Sequence, residues 1–106
     1  MTELGSIDAG EEGCAYLTGE LTFESVPDLY QRARNIMSGL PATVDLSKVT
    51  AADSAGLALL LEWQASRQAP AEPLKYINAP SSLMSLASLS EATELLNLSG
   101  REVKNP

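Results

Sequence analysis

The 106-residue chain contains no histidine and a single cysteine, Cys14. Without imidazole there is no Ser-His-Asp triad and no histidine-based metal site, and the ordinary general base at neutral pH is missing. One cysteine excludes an internal disulfide, and Cys14 is expected as a small core residue in a strand. Aromatic residues make up only 5 % of the chain, so Leu, Val, Ile and Ala must supply most of the packing. Positive charge is also scarce: seven Lys and Arg stand against fourteen Asp and Glu, for a net charge of −7. The seven (Arg32, Arg34, Lys48, Arg67, Lys75, Arg101 and Lys104) form no basic stripe. That argues against direct binding to nucleic acid or to anionic lipid. No apolar run approaches the ~18 residues needed to span a bilayer, and the N-terminal residues lack a charged-then-apolar signal pattern. No GxxxxGK[ST] loop and no Cys/His cluster occur, and Asp45 and Asp53 are too isolated to argue for a metal, so neither nucleotide hydrolysis nor a metal or other cofactor is expected. Together these absences predict a cytoplasmic protein that is not an enzyme and does not insert into a membrane.

A chain of this length supports one domain, burying roughly 65 % of its unfolded surface. Turn chemistry at Asp8–Gly13 separates two candidate strands, Leu4–Ile7 and Cys14–Leu17, and Gly19-Glu20 is expected to end the second. Ser25 reads as a helix N-cap with Pro27 in the first turn and Asp28 as a capping-box variant. Val26, Leu29, Tyr30, Ala33, Ile36, Met37 and Leu40 then follow at helical spacing until Gly39 and Pro41 stop the run. Thr43–Leu46 is a short strand, Ser47–Ala52 a connection, and Ala55–Arg67 a second helix. A Pro-containing loop, Gln68–Pro73, leads to a strand at Leu74–Ile77. Ser81 or Ser82 then caps a third helix carrying Leu83, Met84, Leu86, Ala87 and Leu89. Periodicity leaves Glu91–Leu98 open between a helical turn and a last edge strand, and residues 99–106 read as a flexible tail. The order predicts an α/β fold: a small mixed sheet of about four to five strands, with parallel neighbours joined by right-handed crossovers and helices mainly on one face.

The organising stretch is Val44–Trp63, VDLSKVTAADSAGLALLLEW. Asp53 and Ser54 stand where the second helix begins, and either side chain can cap it. Gly56 admits a close backbone approach, by the first helix or by a partner. On a wheel at about 100° per residue, Leu57, Leu60, Leu61 and Gln64 fall on one side as the core face, while Leu59, Glu62, Trp63 and Ser66 fall on the other. Leu59 and Trp63, four residues apart, therefore stack on a face turned away from the sheet. One reading has the last segment of the chain covering that pair. The other, preferred here, makes the pair the anchor of a partner site rimmed by Glu62 and Arg67. Ser54 has only its neighbour Asp53 as a base, so it is not read as a nucleophile. A phosphate on Ser54 would be stabilised by the helix dipole yet would add charge to any docking surface beside it.

At Asp45-Leu46-Ser47 and Asp53-Ser54-Ala55-Gly56-Leu57 the chain resembles the STAS domain family, and the element order extends that likeness over nearly all of residues 1–106. The run GLALLLEW is most similar to the MlaB-like branch. This branch implies a non-catalytic cytoplasmic subunit of an Mla-type phospholipid ABC transporter, which maintains outer-membrane lipid asymmetry. The protein would bind the ATPase subunit (MlaF-like) at the inner face of the inner membrane and support its assembly and activity. Asp53, Ser54, Ala55, Gly56, Leu59, Glu62 and Trp63 are the candidate partner-binding residues. A second branch, the anti-sigma-factor antagonists, implies phosphorylation of Ser54 by a partner kinase that is also the anti-sigma factor.

Overall fold

The computed structural model describes residues 5–10, 13–38, 41–67 and 73–100. They form β1 (Ser6–Ala9), β2 (Cys14–Leu21), α1 (Val26–Arg32), α2 (Arg34–Ser38), β3 (Thr43–Ala52), α3 (Ser54–Ala65), β4 (Lys75–Ala79), α4 (Ser81–Leu89) and β5 (Leu98–Gly100). The five strands make one sheet in sequential order. β1 and β2 pair antiparallel as the expected hairpin, and every later neighbour is parallel. Three crossovers that step the same way across a sheet, each right-handed, bring their helices to the same face. Accordingly α1 packs on α3, α3 on α4, and α3 on β2 and β3. Along β2, Ala15, Leu17, Gly19 and Leu21 are buried, while Cys14, Tyr16, Thr18 and Glu20 are half-buried on the opposite face. Cys14 is thus not a core residue.

β2 and β3 run well past the ends that sequence patterning predicts, and irregular register explains both. β2 continues through Gly19-Glu20 to Leu21; Gly19 has φ +84° and sits at a shift in the β2–β3 register, so it marks a bulge and not an end. β3 runs ten residues to Ala52 and absorbs the expected Ser47–Ala52 connection. Its buried positions go from Val44 and Leu46 to Val49, an interval of three that breaks the alternation. The register against β2 shifts at the same place, between Tyr16↔Asp45 and Thr18↔Lys48. Asp45 supports the irregularity: Oδ1 accepts the Ser47 N–H at 2.8 Å and Oδ2 the Asn78 side-chain amide at 3.2 Å. Partial burial opposes the charge on Asp45, but the Ser47 N–H and hydroxyl, the Asn78 amide and the Lys48 charge outweigh it and hold the carboxyl below its ordinary range.

The first helical stripe is divided into α1 and α2 at Ala33, although the Ala33 N–H still reaches Leu29 O (2.8 Å) and the Met37 N–H reaches Ala33 O (2.9 Å). Ser25 occupies the N-cap position without making the capping bond. Asp28 pairs with Arg32 at 2.7 Å instead of closing a capping box. Pro80, not Ser81 or Ser82, holds the N-cap position of α4. β4 continues past Ile77 to Ala79. The segment left open by periodicity contains a turn region at 93–97 and then the parallel edge strand β5, so Ser99 and Gly100 belong to the sheet and not to a tail. Expectations for Leu4, Glu11-Glu12, Gly39-Leu40, residues 68–72 and residues 101–106 lie outside the described residues.

The core joins Leu17, Leu21, Leu29, Val44, Leu46, Leu60, Leu83 and Leu96 around Tyr76, which is fully buried. The Tyr76 hydroxyl donates to Leu60 O at 2.8 Å, satisfying its polar tip inside the core, and burial raises its pKa. Gln64 fastens α3 to the start of β4 by both ends of its amide: Oε1 accepts the Leu74 N–H at 2.8 Å and Nε2 donates to Leu74 O at 2.7 Å. The same Nε2 reaches Leu96 O at 3.3 Å. The Arg67 guanidinium hydrogen-bonds Pro41 O across the end of the sheet.

Candidate functional site

The start of α3 is built by Asp53. Its backbone is extended, and Oδ1 accepts the N–H groups of Ala55 (2.8 Å) and Gly56 (3.4 Å), two of the helix's free donors. Capping therefore falls to Asp53 alone, and Ser54, the first helical residue, lies exposed. Asp53 does a second job with its other oxygen: Oδ2 accepts the Phe23 N–H at 3.1 Å. The turn carrying Phe23 is set from beneath by buried Ser25, whose hydroxyl accepts the Thr22 N–H (2.9 Å) and donates to Glu20 O (2.6 Å). One carboxylate thus joins the β2–α1 turn to the first turn of α3.

Gly56 makes the close approach expected of it, but the neighbour is β2. A Cβ at this position would lie 2.5 Å from Leu21 O and 2.7 Å from Leu21 Cβ. The Asp53 N–H also bonds Leu21 O at 3.1 Å. Gly56 is buried and points inward, so it supports the helix start from below and offers no direct contact surface.

Leu59 and Trp63 require a correction. They are 4 % and 5 % exposed, within the same core as Leu57 and Leu60. The two wheel faces are one: at about 100° per residue, Leu59, Trp63, Gly56, Leu60 and Leu57 span a continuous arc of about 160°. Contact with Leu21 at Gly56 puts the centre of that arc against the sheet. With α1 on one flank and α4 on the other, the helix buries nearly half its circumference. Glu62 and Ala58 are the exposed residues of its middle turns, and Leu61 and Gln64 are half-buried flanks.

Four large hydrophobics are exposed among the described residues: Leu89 and Leu95 at and beyond the end of α4, and Phe23 and Tyr30 beside the start of α3. Phe23 is 73 % exposed and Tyr30 43 %, although both are large hydrophobics. They stand beside an open groove of about 610 Å³ between α1 and α3, lined by Phe23, Val26, Pro27, Tyr30, Ser54, Ala55, Ala58, Leu59 and Glu62. Of the seven residues expected to bind a partner, Ser54, Ala55, Leu59 and Glu62 line this groove. Asp53 lines a smaller adjoining pocket with Glu20, Thr22, Phe23 and Glu24. Gly56 and Trp63 line neither. Phe23 was missed in the sequence because it lies in a short polar stretch with no periodicity. Being the chain's lone phenylalanine, placed in a turn, was the available signal.

The groove has apolar walls, a hydroxyl at one end and carboxylates at the rim. Among the described residues no three His, Cys, Asp or Glu side chains gather to hold a metal, and no helix is long and apolar enough to cross a membrane. A family model described as "Mlab, STAS domain" matches residues 8–98. Comparison with curated proteins finds no match.

Proposed function

The chain belongs to the STAS domain family, and from that premise we propose that it is a non-catalytic accessory subunit of an Mla-type phospholipid ABC transporter. It binds the transporter's ATPase subunit (MlaF-like) in the cytoplasm, at the inner face of the inner membrane, and supports assembly and activity. One observation carries this reading: large apolar side chains, Phe23 and Tyr30, are exposed beside Ser54 at the start of α3, where the family resemblance puts the contact. Contiguous exposed apolar surface on a small domain marks an interaction site. Ser54, Ala55 and Glu62 take part directly, and buried Leu59 forms the floor beneath them. Asp53 holds the two halves of the site together, while Gly56 and Trp63 set the helix from beneath. Purification of the tagged chain from its own cell, with mass spectrometry of what accompanies it, tests the assignment. The expected result is an ABC-type ATPase, retained by the unaltered chain and lost on Ser54→Arg. Absence of any such ATPase from the unaltered sample overturns the reading.

The exposure of Ser54 favours a second reading, an anti-sigma-factor antagonist switched by phosphorylation of that residue by a kinase. Intact-mass analysis of the native protein distinguishes it. Phosphate on Ser54 together with a kinase in the purified sample supports the switch, and unmodified protein at all growth stages excludes it.

A further inference from the structure

Four carboxylates line the α1–α3 groove and the pocket that continues it: Glu20, Glu24, Asp53 and Glu62. Among the described residues no Lys or Arg lines either one. The cation on the adjacent helix is occupied: Arg32 pairs with Asp28 through Nε and donates to Gly5 O from Nη2 at 2.6 Å. The whole chain carries −7. Asp53 is already engaged with the first turn of α3 and the Phe23 N–H, which leaves Glu20, Glu24 and Glu62 as the acidic rim, and an apolar slot so rimmed attracts a segment of opposite sign. The slot is walled by helices, which engage their own backbone groups internally, so an added strand finds no edge to pair with. What it offers is side-chain contact along a trough between two helices, which suits a third helix with one apolar face.

We infer that the α1–α3 groove receives a cationic amphipathic helix of the partner protein, its apolar face on Phe23, Tyr30 and Ala58 and its Lys or Arg residues against Glu24 and Glu62. The inference rests on the accessory-subunit reading for the identity of the partner, but its chemistry is independent of that identity. Phe23 and Tyr30 are the anchors; the carboxylates set orientation and speed association.

Two capped helical peptides test it against the full chain: one with leucines at helical i, i+3, i+4 spacing and lysines elsewhere, and one with glutamate in place of each lysine. Backbone NMR shifts of the labelled protein are followed during titration. The lysine peptide is expected to shift Phe23, Tyr30 and Ala58, and to weaken as salt rises. Its affinity should fall about tenfold or more in the Phe23→Ser/Tyr30→Ser double variant. Glu24→Lys/Glu62→Lys should weaken the lysine peptide and admit the glutamate one. Equal binding of the two peptides, shifts away from the groove, binding indifferent to the double variant, or no binding by either peptide overturns the inference. The accessory-subunit reading fails separately: it falls if no ATPase accompanies the unaltered chain, whatever the peptides do. An ATPase retained by a Phe23→Ser/Tyr30→Ser chain that has lost the peptide overturns the groove as the partner's seat and leaves the accessory-subunit assignment standing.

Discussion

Asp53 and Phe23 lie 30 residues apart and are joined by a single carboxylate oxygen, with the Phe23 N–H 3.1 Å from Asp53 Oδ2. The other oxygen of the same carboxylate caps α3. Asp53→Ala should remove both bonds. Loss of a cap costs roughly 1–2 kcal/mol, which for a domain of this size lowers the melting temperature by about 4–8 °C per kcal/mol. Asp53→Asn keeps one oxygen and should cost less. Thermal denaturation gives the ranking, and the Phe23 amide shift reports the clamp: it should move in both variants and more in Asp53→Ala.

Gly56→Ala reverses the usual sign of a glycine replacement in a helix. Alanine is the better helix former by about 1 kcal/mol, yet its methyl group would meet the backbone carbonyl of Leu21 at 2.5 Å. The carbonyl cannot rotate aside as a side chain does. Overpacking of this kind costs about 1–3 kcal/mol, so urea denaturation should show net destabilisation. A stabilised variant would mean that α3 sits further from β2.

Burial separates two sets of aromatic and aliphatic residues that look alike in sequence. Trp63→Glu and Leu59→Asp would put a carboxylate into the core and should unfold the domain. Leu59→Ala should cost about 2–5 kcal/mol. Phe23→Ser and Tyr30→Ser should alter stability by only about 0.5 kcal/mol while abolishing partner capture. Circular dichroism melts alongside partner capture read the two effects independently.

The Asp45 carboxyl titrates below its ordinary range in the folded chain. A group of this kind contributes stability that is present above its unfolded pKa, near 3.9, and lost as pH falls through its folded pKa. Urea midpoints followed from pH 6 downward should therefore decline less steeply in acid for Asp45→Asn than for the unaltered chain. An unchanged acid slope would show that the bonds to Ser47 and Asn78 do not favour the charged form.

The sheet-and-helix order was legible in the sequence because each crossover helix carries its own apolar period and each strand start its own turn signal. The length of β3 was not, since the register shift after Leu46 moves Val49 out of phase, and alternation is the only cue a lone strand gives. The helix wheel erred for a related reason. Leucines at 57, 59, 60 and 61 cover the circumference so broadly that hydrophobicity cannot choose an inward direction. Gly56 could have chosen it, because a glycine in mid-turn marks where a backbone comes close, and Leu60 and Trp63 fall on the same line one and two turns on. The joint at Asp53 was legible as a cap, but its second bond was not, since Phe23 is brought there only by the β2–β3 pairing.

Gln64 has a consequence for how the chain tolerates change. Its amide meets the N–H and the carbonyl of Leu74 as a neighbouring strand residue would, so a side chain on α3 adds to the β3 and β5 pairings in fixing where β4 begins. Gln64→Leu, which removes both bonds, should free Leu74 from α3, and hydrogen exchange at the Leu74 amide should rise more than at the amides of β2.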